Sequence, residues 1–148
     1  MSAGQGRTSG MTLDPRLHHL LHEVTLGSAV ARSLGIRLDR ILDNGVVLAM
    51  PFKPATISFA DVIHGGTIAT LIDIAAASAF VAGAHPTLKG GATTNMTVHF
   101  LAAARSTDLF AEASVIRRGR VQTVTDVAVT TPAGQLIAKG IVTNQGFS

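Results

Sequence analysis

The chain contains no cysteine. Disulfides, thiolate nucleophiles and cysteine-ligated metal sites are thereby excluded, and the lack fits an expected cytoplasmic location. Tryptophan and tyrosine are absent too, and aromatic residues make up only 4% of the chain. A stacking pocket would have to be built from a few phenylalanines, such as Phe59, Phe80 or Phe100. Charge is also scarce, at 14% of residues against 47% hydrophobic. That balance excludes a disordered chain and leaves a surface apolar enough to favour an oligomer. The formal net charge is +3, with none of the clustered Lys/Arg of a nucleic-acid binder, so no nucleic-acid partner is expected. A mild positive bias suits an anionic ligand. The pI of about 10.2 reflects the missing Tyr and Cys, which would otherwise buffer the alkaline range.

Several catalytic signatures are missing as well. There is no GxSxG elbow, so a Ser-His-Asp hydrolase of that type is not expected. No GxGxxG and no P-loop is present. His18 and His22 are four apart on one predicted helix face, but without HExxH or an evident third ligand they read as an exposed polar face, and no metal is expected. His99 alternates with Val98 and Phe100 in a predicted strand and reads as structural.

What is present fits one domain: 148 residues can enclose one substantial core and leave little room for a second. Residues 1–12 begin with a Gly/Ser-rich stretch that has no apolar core. They read as a disordered tail and not as a signal peptide, which leaves 13–148 as a single domain. Asp14-Pro15 opens a helix, with an acidic cap and proline in its first turn, and Leu17, Leu20, Leu21 and Val24 recur at helical spacing. After Gly35 the pattern alternates, "DNG" at Asp43–Gly45 marks a turn, and "VVLAMPF" follows as a second strand. A long apolar helix comes next and stops near Gly83 and Pro86. Four strand-like runs rich in Val, Thr and Ile complete the chain, separated by turn signals at Arg105–Thr107, Gly119 and Pro132–Gly134. The order predicts an α+β fold whose antiparallel strands cover the long helix.

That helix carries the chemistry. "VIHGGTIATLIDIAAASAF" (Val62–Phe80) opens with His64-Gly65-Gly66 and holds one charge, Asp73. The stretch is nearly long enough to span a membrane. Its Ala, Gly and Thr content argues against that, as does a mid-span Asp73, which would cost about 3 kcal/mol; no membrane partner is expected. A helix N-terminus presents unpaired N–H groups and a partial positive charge, and glycines there let a ligand reach the backbone. Gly65-Gly66 can therefore form an oxyanion hole, or can simply allow close packing of the helix start. Asp73 has no Lys or Arg three or four residues away. A carboxylate kept in such apolar company is a candidate base or nucleophile, with a hydrogen bond to Thr70 or a water-facing position as the alternative. Eight residues separate Gly65 from Asp73, about 12 Å along a helix axis. One substrate carbonyl cannot meet both, so a shared reaction needs Asp73 from a second subunit related by a two-fold axis.

These residues resemble the signature of the phenylacetic-acid-degradation (PaaI-like) hotdog thioesterases: His-Gly-Gly followed by Leu-x-Asp on the same helix. "GATTNMTVHFLAAARSTDLFAEASVIRRGRVQTVTDVAVTTPAGQLIAKGIVT" is similar to the family's later strands, and the resemblance covers roughly residues 14–145. It implies a hotdog fold, a curved antiparallel sheet wrapped around the long helix. It also implies hydrolysis of an acyl-CoA without cofactor, and dimers paired into a homotetramer. In that frame Gly65 polarises the thioester carbonyl, and Asp73 of the partner activates water or attacks directly. Thr93 orients the water, with Thr94 as the near alternative, and His64 shapes the site. Many members carry Asn where this chain has Ser58, six residues before the motif histidine. Serine is shorter and has no amide, which weakens support for the reacting centre or changes the preferred substrate. Asp61 replaces a commonly small residue and sets a charge near the pocket mouth. Gly66 belongs to the same backbone site. Arg117, Arg118 and Arg120 around Gly119 are candidates for the CoA phosphates, or else a solvated turn; Lys89 beside Gly90-Gly91 is a weaker one. Two other functions remain open: a non-catalytic acyl-CoA-binding or sensing hotdog protein, and an enoyl-CoA hydratase. The hydratase's usual Asp/His pairing is not evident, because His64 and Asp73 are far apart on one helix.

Overall fold

The computed structural model describes residues 12–148; most of the expected disordered tail lies outside the described residues. Its centre is α3, Gly65–Ala82, an 18-residue helix. The helix is apolar on nearly every side, and the fold supplies walls to match. The buried residues of α3, Ile68, Leu71, Ile72, Ala75 and Ala79 among them, share one cluster with Val46, Leu48, Met50, Leu109, Val127, Val129, Ile137 and Val142 of the sheet. Alanines on the helix and a glycine on the sheet set the spacing: a Cβ at Gly140 would meet Ile72 Cγ2 at 2.7 Å. Length and a mean hydropathy of 1.6 would allow α3 to cross a membrane, but 61% of that window is buried inside the fold.

The sheet has six strands: β1 (Arg37–Leu42), β2 (Gly45–Met50), β5 (Gly90–Phe100), β6 (Leu109–Arg118), β7 (Gln122–Thr130) and β8 (Leu136–Phe147). They lie in the order β1-β2-β6-β7-β8-β5, and every neighbouring pair is antiparallel. β2 pairs at one side of the sheet and β5 forms the far edge, so α3, which joins them, has to cross the concave face. This is the hotdog arrangement, and the two strands, long helix and four strands expected from the sequence are all present. β5 is an open edge: residues 91–97, 99 and 100 are exposed.

The ends of the helical region differ from expectation. The helix begun by Asp14, whose side chain accepts from Arg16 N, is a short α1 (Pro15–His19) that widens into a π-helical turn, Leu20–Thr25. Ser28 then starts a second helix, α2 (Ala29–Leu34), that periodicity did not reveal; the Ser28 hydroxyl accepts from Ala31 N, and Gly35, at φ 68°, ends it. Six residues are too few for a readable period, so only the two caps mark α2. A small hairpin, β3 (Ile57–Phe59) with β4 (Val62–Ile63), was also missed. It leads into α3 and is tied to the loop before β6 by Ile63 N to Ala104 O.

Candidate active site

Two local sites lie along α3. The first is its N-terminus. His64 caps the helix, its Nδ1 accepting from Gly66 N at 2.8 Å. The cap explains one glycine, since a Cβ at Gly66 would come within 2.9 Å of that same Nδ1. It also separates two N–H groups the sequence left equivalent. Gly66 N–H is occupied by the cap, whereas Gly65 N–H donates to no acceptor among the described residues. Gly65 opens into a cavity of about 430 Å³ together with Ser58, Ile68, Phe100 and the 101–104 loop. The Phe100 ring lies 3.4 Å from where a Gly65 Cβ would stand. Ser58, at the position of the expected Asn, donates to Val62 O at 3.3 Å and so belongs to this cavity. Asp61, expected to set a charge near the mouth, is paired: Arg105 Nη1 lies 2.6 Å from its Oδ1.

The second site is built around Asp73. The sequence suggested a carboxylate without a local partner, and its helix offers none. The partner comes from the sheet: Thr93 Oγ1 donates to Asp73 Oδ1 at 2.6 Å. Asn144 Nδ2 in turn donates to Thr93 Oγ1 at 3.1 Å. The relay has a direction, because the amide hydrogen occupies the threonine oxygen and leaves the hydroxyl proton for the carboxylate. Thr93 and Asn144 are cross-strand partners, and the register slips just beyond them, between Thr93 and Asn95. Thr94 is the extra residue of that bulge and turns away, its Oγ1 donating to Thr143 O at 3.3 Å. Of the two threonines, Thr93 is the one that reaches Asp73. Asn144, only 2% exposed, was missed: its partner lies 51 residues away, and nothing local in "VTNQG" marks it.

The remaining expected residues lie elsewhere. Arg118 Nη1 donates to Phe80 O at 2.9 Å and Nη2 to Ala79 O at 3.1 Å, so its guanidinium caps the C-terminus of α3. A cation there complements the helix dipole, and its partial burial pulls the pKa below the usual arginine value. Those two bonds use two of the five guanidinium N–H donors, and Arg118 also lines a surface groove with Arg120. Arg117 and Arg120 are exposed beside it. Lys89 faces an open groove with Pro15, Arg16 and His19. Gly91 packs on Phe80, whose ring would lie 2.7 Å from a Cβ there, and lines a small cavity that also includes Thr93. Phe59 is 80% exposed and does not line the Gly65 cavity. His18 and His22 stack with ring centroids 4.3 Å apart. Among the described residues no three metal-ligating side chains converge.

Comparison with known proteins places the chain in a family. The family model of the thioesterase superfamily matches residues 60–138. A Halobacterium salinarum protein with a provisional esterase assignment is 34% identical over 104 residues, 68% of this chain and 68% of that protein. A thioesterase family protein from Silicibacter pomeroyi superposes with a TM-score of 0.81 at 24% identity, over 88% of this chain and 98% of its own. The E. coli PaaI protein from the phenylacetic acid degradation operon superposes with a TM-score of 0.79 at 20% identity, over 93% and 97% respectively. The structural likenesses establish a shared fold, and the matched stretch contains Gly65, Asp73 and Thr93: the chain belongs to the thioesterase superfamily.

Proposed function

We propose that the protein hydrolyses an acyl-CoA thioester to a free acid and CoA. The observation that carries this reading is the pairing on α3 of an unengaged Gly65 N–H at a cavity mouth with a carboxylate held by Thr93. The Gly65 N–H donates to the thioester oxygen, and the bond strengthens as that oxygen takes negative charge in the transition state. The Asp73 carboxylate draws a proton from the attacking water, or attacks the carbonyl itself. Thr93 fixes the carboxylate through Oδ1, which leaves Oδ2 for that task. Neither route calls for a metal or an organic cofactor.

About 12 Å of helix separate the two groups within one chain, so each site takes Gly65 from one copy and Asp73 from another. The open edge of β5 supports such an assembly, since an unpaired edge is a template for pairing with a second copy about a two-fold axis. We extend this to dimers paired as a tetramer. Arg117, Arg120 and Lys89 lie toward the opposite end of α3, about 27 Å along the helix from Gly65. They reach the CoA phosphates of a Gly65 site only across a subunit boundary.

Complementation tests the shared site. Gly65→Pro removes the N–H and Asp73→Asn removes the base, so each variant alone is expected to release little CoA. Equal mixing with subunit exchange puts half the chains into mixed dimers, and each mixed dimer has one intact site. About a quarter of wild-type activity should return. No recovery in verified mixed dimers would sink the shared-site geometry. Acyl-CoA binding without CoA release by the wild type would favour the binding or sensing reading, and hydration without CoA release the enoyl-CoA hydratase.

A further inference from the structure

A smaller cavity lies beside the Asp73–Thr93 pair, with a volume of about 130 Å³. Thr93 and Asn144 form a polar end, and apolar side chains including Leu20, Val24, Ala77 and Phe80 line much of the wall. Ala77 stands one turn beyond Asp73 on α3, and Phe80 roughly two, so the space runs about 10 Å from the carboxylate into apolar surroundings. An apolar cavity of about 150 Å³ accepts a benzene ring. This one suits a single ring or an alkyl group of about six carbons.

Leu20 lines this cavity on one side and an open groove of about 390 Å³ on the other. Phe80 has the same double position toward a further groove of about 280 Å³. The two walls are not equally fixed. Cβ atoms at Gly91 and Gly146 would come within 2.7 and 2.9 Å of the Phe80 ring, so that ring is clamped on two sides. Leu20 begins the six-residue π-helical turn and is only partly buried. Such turns recur at functional sites.

We propose that the 130 Å³ cavity receives the acyl group and that Leu20 sets the length it accepts, selecting compact apolar acyl groups over long chains. This rests on the thioesterase reading above, because the reacting carbon must lie at the Thr93 end. The test is a series of straight-chain acyl-CoAs from two to twelve carbons, with benzoyl- and phenylacetyl-CoA, on wild type and Leu20→Ala. Wild-type kcat/KM is expected to peak at about six carbons or a single ring and to fall tenfold or more by twelve carbons. Leu20→Ala joins the cavity to the groove and should raise the twelve-carbon to six-carbon ratio about tenfold. Leu20→Val trims one methylene and should shift the ratio in the same direction by less, which covers failure of the Ala variant to fold. A flat wild-type profile overturns the proposal, as does an unchanged profile in a folded Leu20 variant. Calorimetric binding of the same esters to Asp73→Asn separates the two claims. If no ester is hydrolysed by the wild type but binding ranks by length and Leu20→Ala extends that ranking, the cavity stands and the catalytic reading fails. Binding with no length ranking overturns the cavity.

Discussion

Gly65→Pro isolates one backbone N–H with little else disturbed. Gly65 is the first residue of α3, the position where proline is most readily accepted because its missing N–H has no helical partner. The residue before it, His64, sits at φ −60°, ψ 133°, within the extended region that a following proline demands. The capping bond from Gly66 N to His64 Nδ1 is not touched. Stability should therefore hold, or rise by about 0.4–1 kcal/mol as the unfolded chain loses freedom. The new Cβ meets Phe100 at 3.4 Å, which asks for a shift of no more than a few tenths of an ångström. Catalysis should fare differently. Deleting one donor to a developing oxyanion typically removes about 10²–10³ in kcat, or about 2.7–4 kcal/mol. Gly65→Ala is the control, since it makes the same contact with Phe100 but keeps the N–H. Release of free CoA followed with a thiol reagent gives kcat, and a thermal melt reports the fold. The expected result is a loss of at least a hundredfold for Pro and less than tenfold for Ala, at similar melting temperatures. Near wild-type turnover by the Pro variant, or equal losses in both, would refute the oxyanion role.

Three further outcomes are expected. Asp73→Asn keeps the acceptor for Thr93 and removes the charge; kcat should fall about 10²–10⁴-fold with little change in KM if KM reports binding. Thr93→Val should lower kcat about tenfold while Thr93→Ser retains most of it, because only the hydroxyl donates to Asp73; equal losses in the two would show that packing and not the proton matters. Arg118→Ala removes the cap on Ala79 and Phe80 carbonyls, and for a partly exposed group should cost about 1 kcal/mol, a melting shift of about 2–4 °C, with KM for CoA esters unchanged.

Most of the fold was legible because its signals are local. The alternation of β6 to β8, the turn at Asp43–Gly45 and the apolar run of α3 each fit within a window of a few turns or one strand. What stayed hidden was short or distant. α2 and the β3–β4 hairpin are too brief to show a period. Arg118 was legible as a cation beside a glycine, in a phosphate site or a solvated turn. Its bonds to the Ala79 and Phe80 carbonyls come from packing of the β6–β7 turn against Gly83, where a Cβ would lie 2.5 Å from Arg118 Nη2.

The same distinction accounts for Asp73. On its own helix the carboxylate looks stranded, and burying a charge without partners is costly. The sheet removes much of that cost at one oxygen: β8 carries Asn144 to Thr93, and the Thr93 hydroxyl donates a hydrogen bond to Oδ1. The β5 bulge makes this possible, because it turns Thr94 aside to the Thr143 carbonyl while Thr93 keeps its place opposite Asn144. A carboxylate satisfied at both oxygens would be a structural anchor. One held at Oδ1 alone is oriented and still able to accept a proton, which is what a general base needs. The unengaged Gly65 N–H is the complementary half, and the rigid helix between them keeps the two apart within a chain. A rigid separation of about 12 Å is a poor design for one subunit and a workable one for two, because a two-fold axis passing beside α3, level with the midpoint between the groups, would bring each donor to the other copy's carboxylate.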